Sequence, residues 1–230
     1  MDLRILSAGA AQGLVRAMER DFREACGLGV SGAFGAVGAM REKFLAGEPC
    51  DVLVLTDAML RELAGDGRVL ADTLRPLGRV RTGVAVPAGA PRPAIDDAPA
   101  LRAALSAASA IHFPDPQRAT AGIHFMKVLG GLGLEQALAA RLRPHPNGAT
   151  AMRELAAAGD ARAIGCTQIA EIRYTPGVTL VGPLPRQFEL ATVYSVAVAA
   201  GAVQPHHAQQ LVELLAGPEA AERRVAGGFE

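Results

Sequence analysis

The chain has no tryptophan, and only 4% of its 230 residues are aromatic. Its two tyrosines, Tyr174 and Tyr194, stand apart, so the stacking platforms that hold single-stranded nucleic acid are missing. Neither charge is in excess, since Lys plus Arg and Asp plus Glu number 23 each; that leaves no basic face for nucleic acid or acidic lipid. No nucleic-acid partner is expected. The three cysteines, Cys26, Cys50 and Cys166, are an odd number without CxxC spacing, which fits reduced thiols rather than disulfides or a zinc site. No metal is expected either, because His112, His124 and His145 are scattered and His206 and His207 stand beside Pro205 at a helix start. GxGxxG, P-loop and GxSxG patterns are absent, so the expected cofactor is none.

Long apolar runs are missing too. Every one is interrupted by charge, Gly or Pro before the ~18 to 20 residues that a membrane span requires, so no membrane insertion is expected. The opening MDLRILSAGAAQG becomes strand and turn at once, without a basic start, an apolar stretch or an AxA cleavage site. As it stands the chain reads as cytoplasmic, or as periplasmic if a leader was removed.

What is present is a βα rhythm. Leu3 to Ser7 is a short apolar run, and Leu14, Val15, Met18 and Phe22 follow at helical spacing. The same alternation gives a strand over Gly27 to Phe34, a helix over Gly35 to Phe44, a buried strand over Asp51 to Thr56 and a helix over Asp57 to Ala64. Three such units in a row predict a parallel sheet with helices on its faces. A turn-rich stretch follows the strand Arg79 to Val86. Beyond it the rhythm resumes, with helices near Ala98 to Ala108, from Arg118 and over Gly148 to Ala158, and strands at Ala110 to Phe113, Leu142 to His145 and Ala163 to Cys166. Two further strands surround GPLP at Gly182 to Pro185, and two helices close the chain. The fold class is therefore α/β, with two doubly wound lobes joined by two hinge crossovers and a ligand cleft between them. Lobe 1 is expected over 1–82 and 188–230 and lobe 2 over 83–187, with hinges near 82–87 and 183–195.

Doubly wound sheets bind ligands beyond the carboxyl ends of their strands, so the turns there carry the candidate residues. The first turn holds Ser7, Gly9 and Ala10, where small residues and helix-start N–H groups favour an anion, or simply make a tight turn. Ala36 and Val37 repeat this with backbone alone, and Thr56 stands at an N-cap position. The densest polar cluster is Phe113 to His124: Arg118 can grip a carboxylate, Thr120 offers a hydroxyl, and Ala121 and Gly122 a bare helix start. Asn147 is a natural cap whose amide can also face a ligand, and Cys166, Thr167 and Gln168 follow the last strand of the second sheet. Arg79 and Arg81 alternate on the crossover strand and share one face. If the chain is an enzyme, His124 and Gln168 are the candidate catalytic groups for proton transfer.

Several segments, taken in order, resemble one family. They are FGAVGAMREKFLAGEPCDVLVLTDA (Phe34 to Ala58), DPQRATAG (Asp115 to Gly122), NGATAMRELAAAGDARAIG (Asn147 to Gly165) and LLAGPEAAERRVAGGFE at the end. They are similar to the molybdate-binding branch of the type 2 periplasmic binding proteins, and the resemblance covers nearly the whole chain. It implies two lobes, two crossovers, a buried anion and, after export, an ABC transporter permease as partner. The two serines and the tyrosine that such proteins place on the oxyanion are missing here, at positions near Ala10, near Ala36 and Val37, and at Cys166. VGPLP at Val181 to Pro185, Arg79 with Arg81, and Gln168 also resemble the aconitate isomerases of the same superfamily. The expected function is binding of a small anionic solute, an organic polycarboxylate, in the interlobe cleft. The alternative is a cytoplasmic isomerase of a small unsaturated polycarboxylate.

Overall fold

The strand-turn-helix opening is present in the computed structural model, which describes residues 2–230. In chain order the elements are β1 (Leu3–Ala8), α1 (Gln12–Cys26), β2 (Val30–Gly35), α2 (Val37–Leu45), β3 (Val52–Thr56), α3 (Asp57–Gly65), β4 (Arg75–Pro87), α4 (Ala98–Ala107), β5 (Ile111–Pro114), α5 (Thr120–Gly131), α6 (Glu135–Leu138), β6 (Leu142–His145), α7 (Gly148–Ala157), β7 (Ile164–Gln168), α8 (Ile169–Tyr174), β8 (Val178–Pro183), β9 (Ala191–Val198), α9 (Pro205–Ala216) and α10 (Ala221–Ala226). Among the described residues no helix is long and apolar enough to cross a membrane.

The chain divides into a unit of Met1–Val80 with Thr192–Glu230 and a unit of Arg81–Ala191. In the first unit the strand order is β2-β1-β3-β9. β1 is parallel to β2 and β3, whereas β9 returns antiparallel to β3. β3 is buried on both faces, which explains its unbroken VLVL run. The apolar stripe of α1 is buried as its spacing predicts, and α1 packs against α9. The second strand starts at Val30 rather than Gly27, because Gly27 takes φ 76° as the left-handed C-cap of α1.

Buried Asp51 ties this unit together at the amino end of β3. Its Oδ2 accepts the Arg4 N–H at 2.9 Å, and its Oδ1 accepts the N–H groups of Val203 and Gln204 at 2.7 and 3.3 Å, just ahead of α9. One carboxylate thus fixes β1, β3 and the entry to α9.

The second unit is mixed as well. β7 and β6 flank β5 in parallel, and β4 is antiparallel to both β7 and β8. Val84, Cys166, Phe113, Phe125, Val128 and Leu129 fill the core under α4 and α5. A smaller core of Ala85, Met152, Leu155 and Ile172 lies on the opposite face. α5 starts at Thr120, not Arg118. Asp115 folds the preceding loop back by accepting the N–H groups of Gln117 and Arg118 on its side chain and of Ala119 on its carbonyl. The short helices α6 and α8 fall outside the sequence-based expectation.

His112 and His145 are not scattered. They lie on adjacent strands β5 and β6, with Nδ1 of one 3.1 Å from Nε2 of the other. Burial, above all, pushes both imidazoles below their ordinary range; for His112 the neighbouring charges of His145 and Arg143 push the same way, and Glu154 opposes the shift at both. The folded state therefore binds fewer protons there than the unfolded chain, whose histidines titrate near about 6.5. Their contribution is complete above that pH and is lost as pH falls through the lower folded values. Urea midpoints measured from pH 7.5 down to 5 should fall, and the double variant His112→Gln/His145→Gln should fall less steeply than the parent over the same range. Equal slopes would contradict this.

Candidate functional site

Strand register decides which candidate residues are neighbours. In the first unit Ser7 is level with Phe34 of β2 and Val54 of β3, so Gly9, Ala36 and Thr56 lie side by side at the carboxyl edge. These turns differ in how their helix starts are satisfied. Thr56 accepts the Met59 N–H on its side chain, so α3 is capped from within. Neighbouring Asp57 accepts from Ser195 at 2.8 Å and pairs with Arg61, and the Arg61 hydrogen bond holds its carboxyl below the usual range.

The other two starts have no such acceptor. α2 begins after Ala36 without a side-chain cap, and its first internal bond is Met40 N–H to the Ala36 carbonyl. The turn Gly9–Ala11 that leads into α1 also lacks a side-chain cap. Ser7, the one hydroxyl in that loop, is fully buried and donates to the Ala8 carbonyl at 3.0 Å. Its hydroxyl is therefore engaged by backbone. Ala10 and Val37 offer N–H groups, which at a helix start carry partial positive charge.

In the second unit the expected cluster Cys166, Thr167 and Gln168 is split by strand alternation. Cys166 faces the core under α5 and is fully buried, and burial pushes its thiol far above the ordinary range. It is a core residue with an unreactive thiol. Thr167 faces α7, and Gln168 lies on the side of Cys166.

What Thr167 meets is a buried carboxylate, Glu171. Its hydroxyl donates to Oε2 at 2.5 Å, and the same carboxylate accepts the backbone N–H groups of Gly148, Ala149 and Gln168. Glu171 therefore reaches back to the N-cap N–H of α8, the acidic half of a capping box, and simultaneously fills the start of α7. The N–H groups of Gly148 and Ala149 are thus taken by the protein itself. Space confirms it: a Cβ on Gly148 would stand 1.9 Å from the Glu171 Oε2 and 2.1 Å from the Thr167 Oγ. Asn147 is likewise engaged, its Oδ1 accepting the Thr150 N–H at 2.8 Å. Burial pushes the Glu171 carboxyl up, against the pull of its four donors.

α5 is the helix start of this unit that resembles α2. Ala119 provides no side-chain cap, and the first internal bond is Ile123 N–H to the Ala119 carbonyl. Thr120 and Ala121 carry the early N–H groups, with Arg118 exposed just before them. Gly122 has a packing reason to be bare, since a Cβ there would lie 2.3 Å from the carbonyl oxygens of Pro114 and Asp115. His124 places Nε2 2.7 Å from the Phe188 carbonyl. A carbonyl only accepts, so the neutral ring carries its proton on Nε2 and its lone pair on Nδ1. Arg81 lies 4.0 Å from Glu189 at the rim of a cavity of about 480 Å³ that also holds Asp96 and Arg186. Among the described residues no group of three His, Cys, Asp or Glu side chains is placed to hold a metal.

A family profile described as bacterial extracellular solute-binding protein matches residues 3–230. The chain belongs to that family. Among solved structures, the periplasmic molybdate-binding protein of Azotobacter vinelandii is similar to all of this solute-binding protein and to 99% of its own chain, with a TM-score of 0.81 and 20% identity. The sulfate-binding protein SubI of Mycobacterium tuberculosis is similar to all of this chain and 86% of its own, with a TM-score of 0.74 and 17% identity. These likenesses establish the type 2 periplasmic-binding-protein fold. An aconitate isomerase from a Pseudomonas species is 28% identical over 226 residues, covering 96% of this chain and 84% of its own.

The double role of Glu171 has little signal in the sequence. The pattern Gln168-x-x-Glu171 is a weakened capping box, but nothing in the sequence announces that its carboxylate also reaches α7. Replacing Glu171 with Ala should destabilise the protein by about 3 kcal/mol in urea unfolding, because it strands four buried donors. Glu171→Gln keeps the volume but turns an N–H group towards those donors, so a smaller loss is expected. An unchanged midpoint for both variants would contradict the capping role.

Proposed function

We propose that this solute-binding protein takes up a small organic polycarboxylate, held by helix starts that the protein leaves without an internal acceptor. The observation that carries the reading is the division among the helix starts at the carboxyl edges. α3 and α7 are capped by the protein's own Thr56, Asn147 and Glu171, whereas α2, α5 and the turn Gly9–Ala11 have no side-chain cap. Bare helix starts favour an anion. The similar proteins are named for molybdate, sulfate and aconitate, all anions.

A carboxylate fits this chain better than a metal oxyanion. At the first two turns the Ser7 hydroxyl is taken by the Ala8 carbonyl and Gly9, Ala10, Ala36 and Val37 carry none, and an arginine, Arg118, stands before α5. A guanidinium matches a carboxylate with two parallel hydrogen bonds. An ABC transporter permease is the partner that this reading implies.

A second reading, isomerisation of an unsaturated polycarboxylate, is favoured by the aconitate isomerase relative and by the fixed tautomer of His124. With Nε2–H held by Phe188, Nδ1 is the basic nitrogen for removing an allylic proton, and Gln168 would orient a carboxylate.

Thermal unfolding with cis-aconitate, trans-aconitate, citrate, molybdate and sulfate tests the first reading. A tricarboxylate at a hundredfold excess over its dissociation constant should add about 2.7 kcal/mol, and Arg118→Ala should weaken its binding about tenfold. Stabilisation by molybdate alone, or by no anion, would contradict the carboxylate. Exchange of a carbon-bound proton into deuterated solvent decides the second reading, and a bound acid that exchanges none is a ligand only.

A further inference from the structure

Thr82 is the one hydroxyl-bearing side chain on β4, and it is fully buried. Its backbone is engaged on both sides, donating to the Leu190 carbonyl and accepting from the Leu184 N–H, each at 3.0 Å. Its hydroxyl has no hydrogen-bond partner among the described residues. A buried hydroxyl left so is destabilising, because its desolvation is not repaid, and native proteins seldom keep one without a use.

Its position indicates the use. Register sets Thr82 opposite Gln168, at the carboxyl edge of β7, and Val84 opposite Cys166. Val84 and Cys166 bury in the core beneath α5, so alternation turns Thr82 to the same face of the sheet, one step nearer the carboxyl edge. That face also carries the uncapped start of α5, whose first turn rests on the last carbonyls of β5. An unpartnered donor and a bare helix start therefore share one face and one edge, with β7 between their strands.

We infer that the Thr82 hydroxyl is a solute contact, and that it holds one carboxylate of a polycarboxylate whose other carboxylate lies on the first turn of α5. β4 and β5 are two strand spacings apart, about 10 Å. A single tetrahedral oxyanion with hydrogen bonds of about 2.9 Å on either side does not cover that distance, whereas a chain of several carbons bearing two or three carboxylates does. This rests on the anion reading above and sharpens it to a substrate class with two separated acceptor groups. Thr82 is a positioning and specificity residue in this account; it moves no proton.

The experiment compares wild type, Thr82→Val and Thr82→Ser with trans-aconitate, citrate, sulfate and molybdate, by calorimetric titration and by melting without added anion. Thr82→Val keeps shape and removes the hydroxyl. Expected are a melting temperature equal to or above wild type, a loss of polycarboxylate affinity of tenfold or more, and recovery to within about threefold in Thr82→Ser. Four outcomes overturn the inference. The first is Thr82→Val binding polycarboxylates as tightly as wild type. The second is Thr82→Val melting lower or failing to fold, which would give the hydroxyl a structural partner. The third is wild type binding only sulfate or molybdate, in which case the anion reading survives without this contact. The fourth is wild type binding none of the four, and then both fall together.

Discussion

Every α-helix begins with N–H groups that have no acceptor within the helix, and in this chain the answer differs from one helix start to the next. Thr56 answers for α3, Asp97 for α4 through the Ala100 N–H at 2.8 Å, and Asn147 together with Glu171 for α7. Asp51 serves the approach to α9. The strands set these starts in rows, and the capping decides which remain for a solute. Without Glu171 the starts of α7 and α8 would both compete for an anion; with it, α5 is the open long helix start beside β5 and β7.

Glu171 also shows how a buried charge becomes structural. Burial alone drives a carboxyl towards its neutral form, and four donors converging on two oxygens oppose that. The cost of desolvation is offset only while all four donors stay in place. That couples the turn after β7 to the turn after β6, and fixes Gly148, where a Cβ would collide with the carboxylate. Asp51 does the same at the amino end of β3, with Arg4, Val203 and Gln204 as its donors. Each unit is organised around one such carboxylate.

Much of this fold was legible in the sequence. The buried run of β3, the stripe of α1 and the βα rhythm are local signals, and the caps Thr56 and Asn147 stand next to the N–H groups that they serve. The family resemblance was legible for the same reason, because its segments are contiguous. The site was legible only in part. Thr167 and Gln168 were grouped as neighbours in one turn, yet alternation sends them to opposite faces. Cys166 took a place matched to a ligand-holding tyrosine, and its apolar surroundings come from β4, β5 and α5, distant in sequence. His112 and His145 meet because β5 and β6 run in parallel at one register, which no spacing reveals. Glu171 reaches Gly148 across 23 residues, and the isolation of the Thr82 hydroxyl is a property of packing.

Which helix starts meet the solute is best decided amide by amide. A nitrogen-15 heteronuclear NMR titration with the tightest-binding polycarboxylate should move the backbone amides of Ala10, Val37, Gly38, Thr120 and Ala121 most. Those of Met59, Ala100, Gly148 and Ala149, already held by Thr56, Asp97 and Glu171, should move little. Large shifts confined to the self-capped starts, or none at the bare ones, would contradict the account.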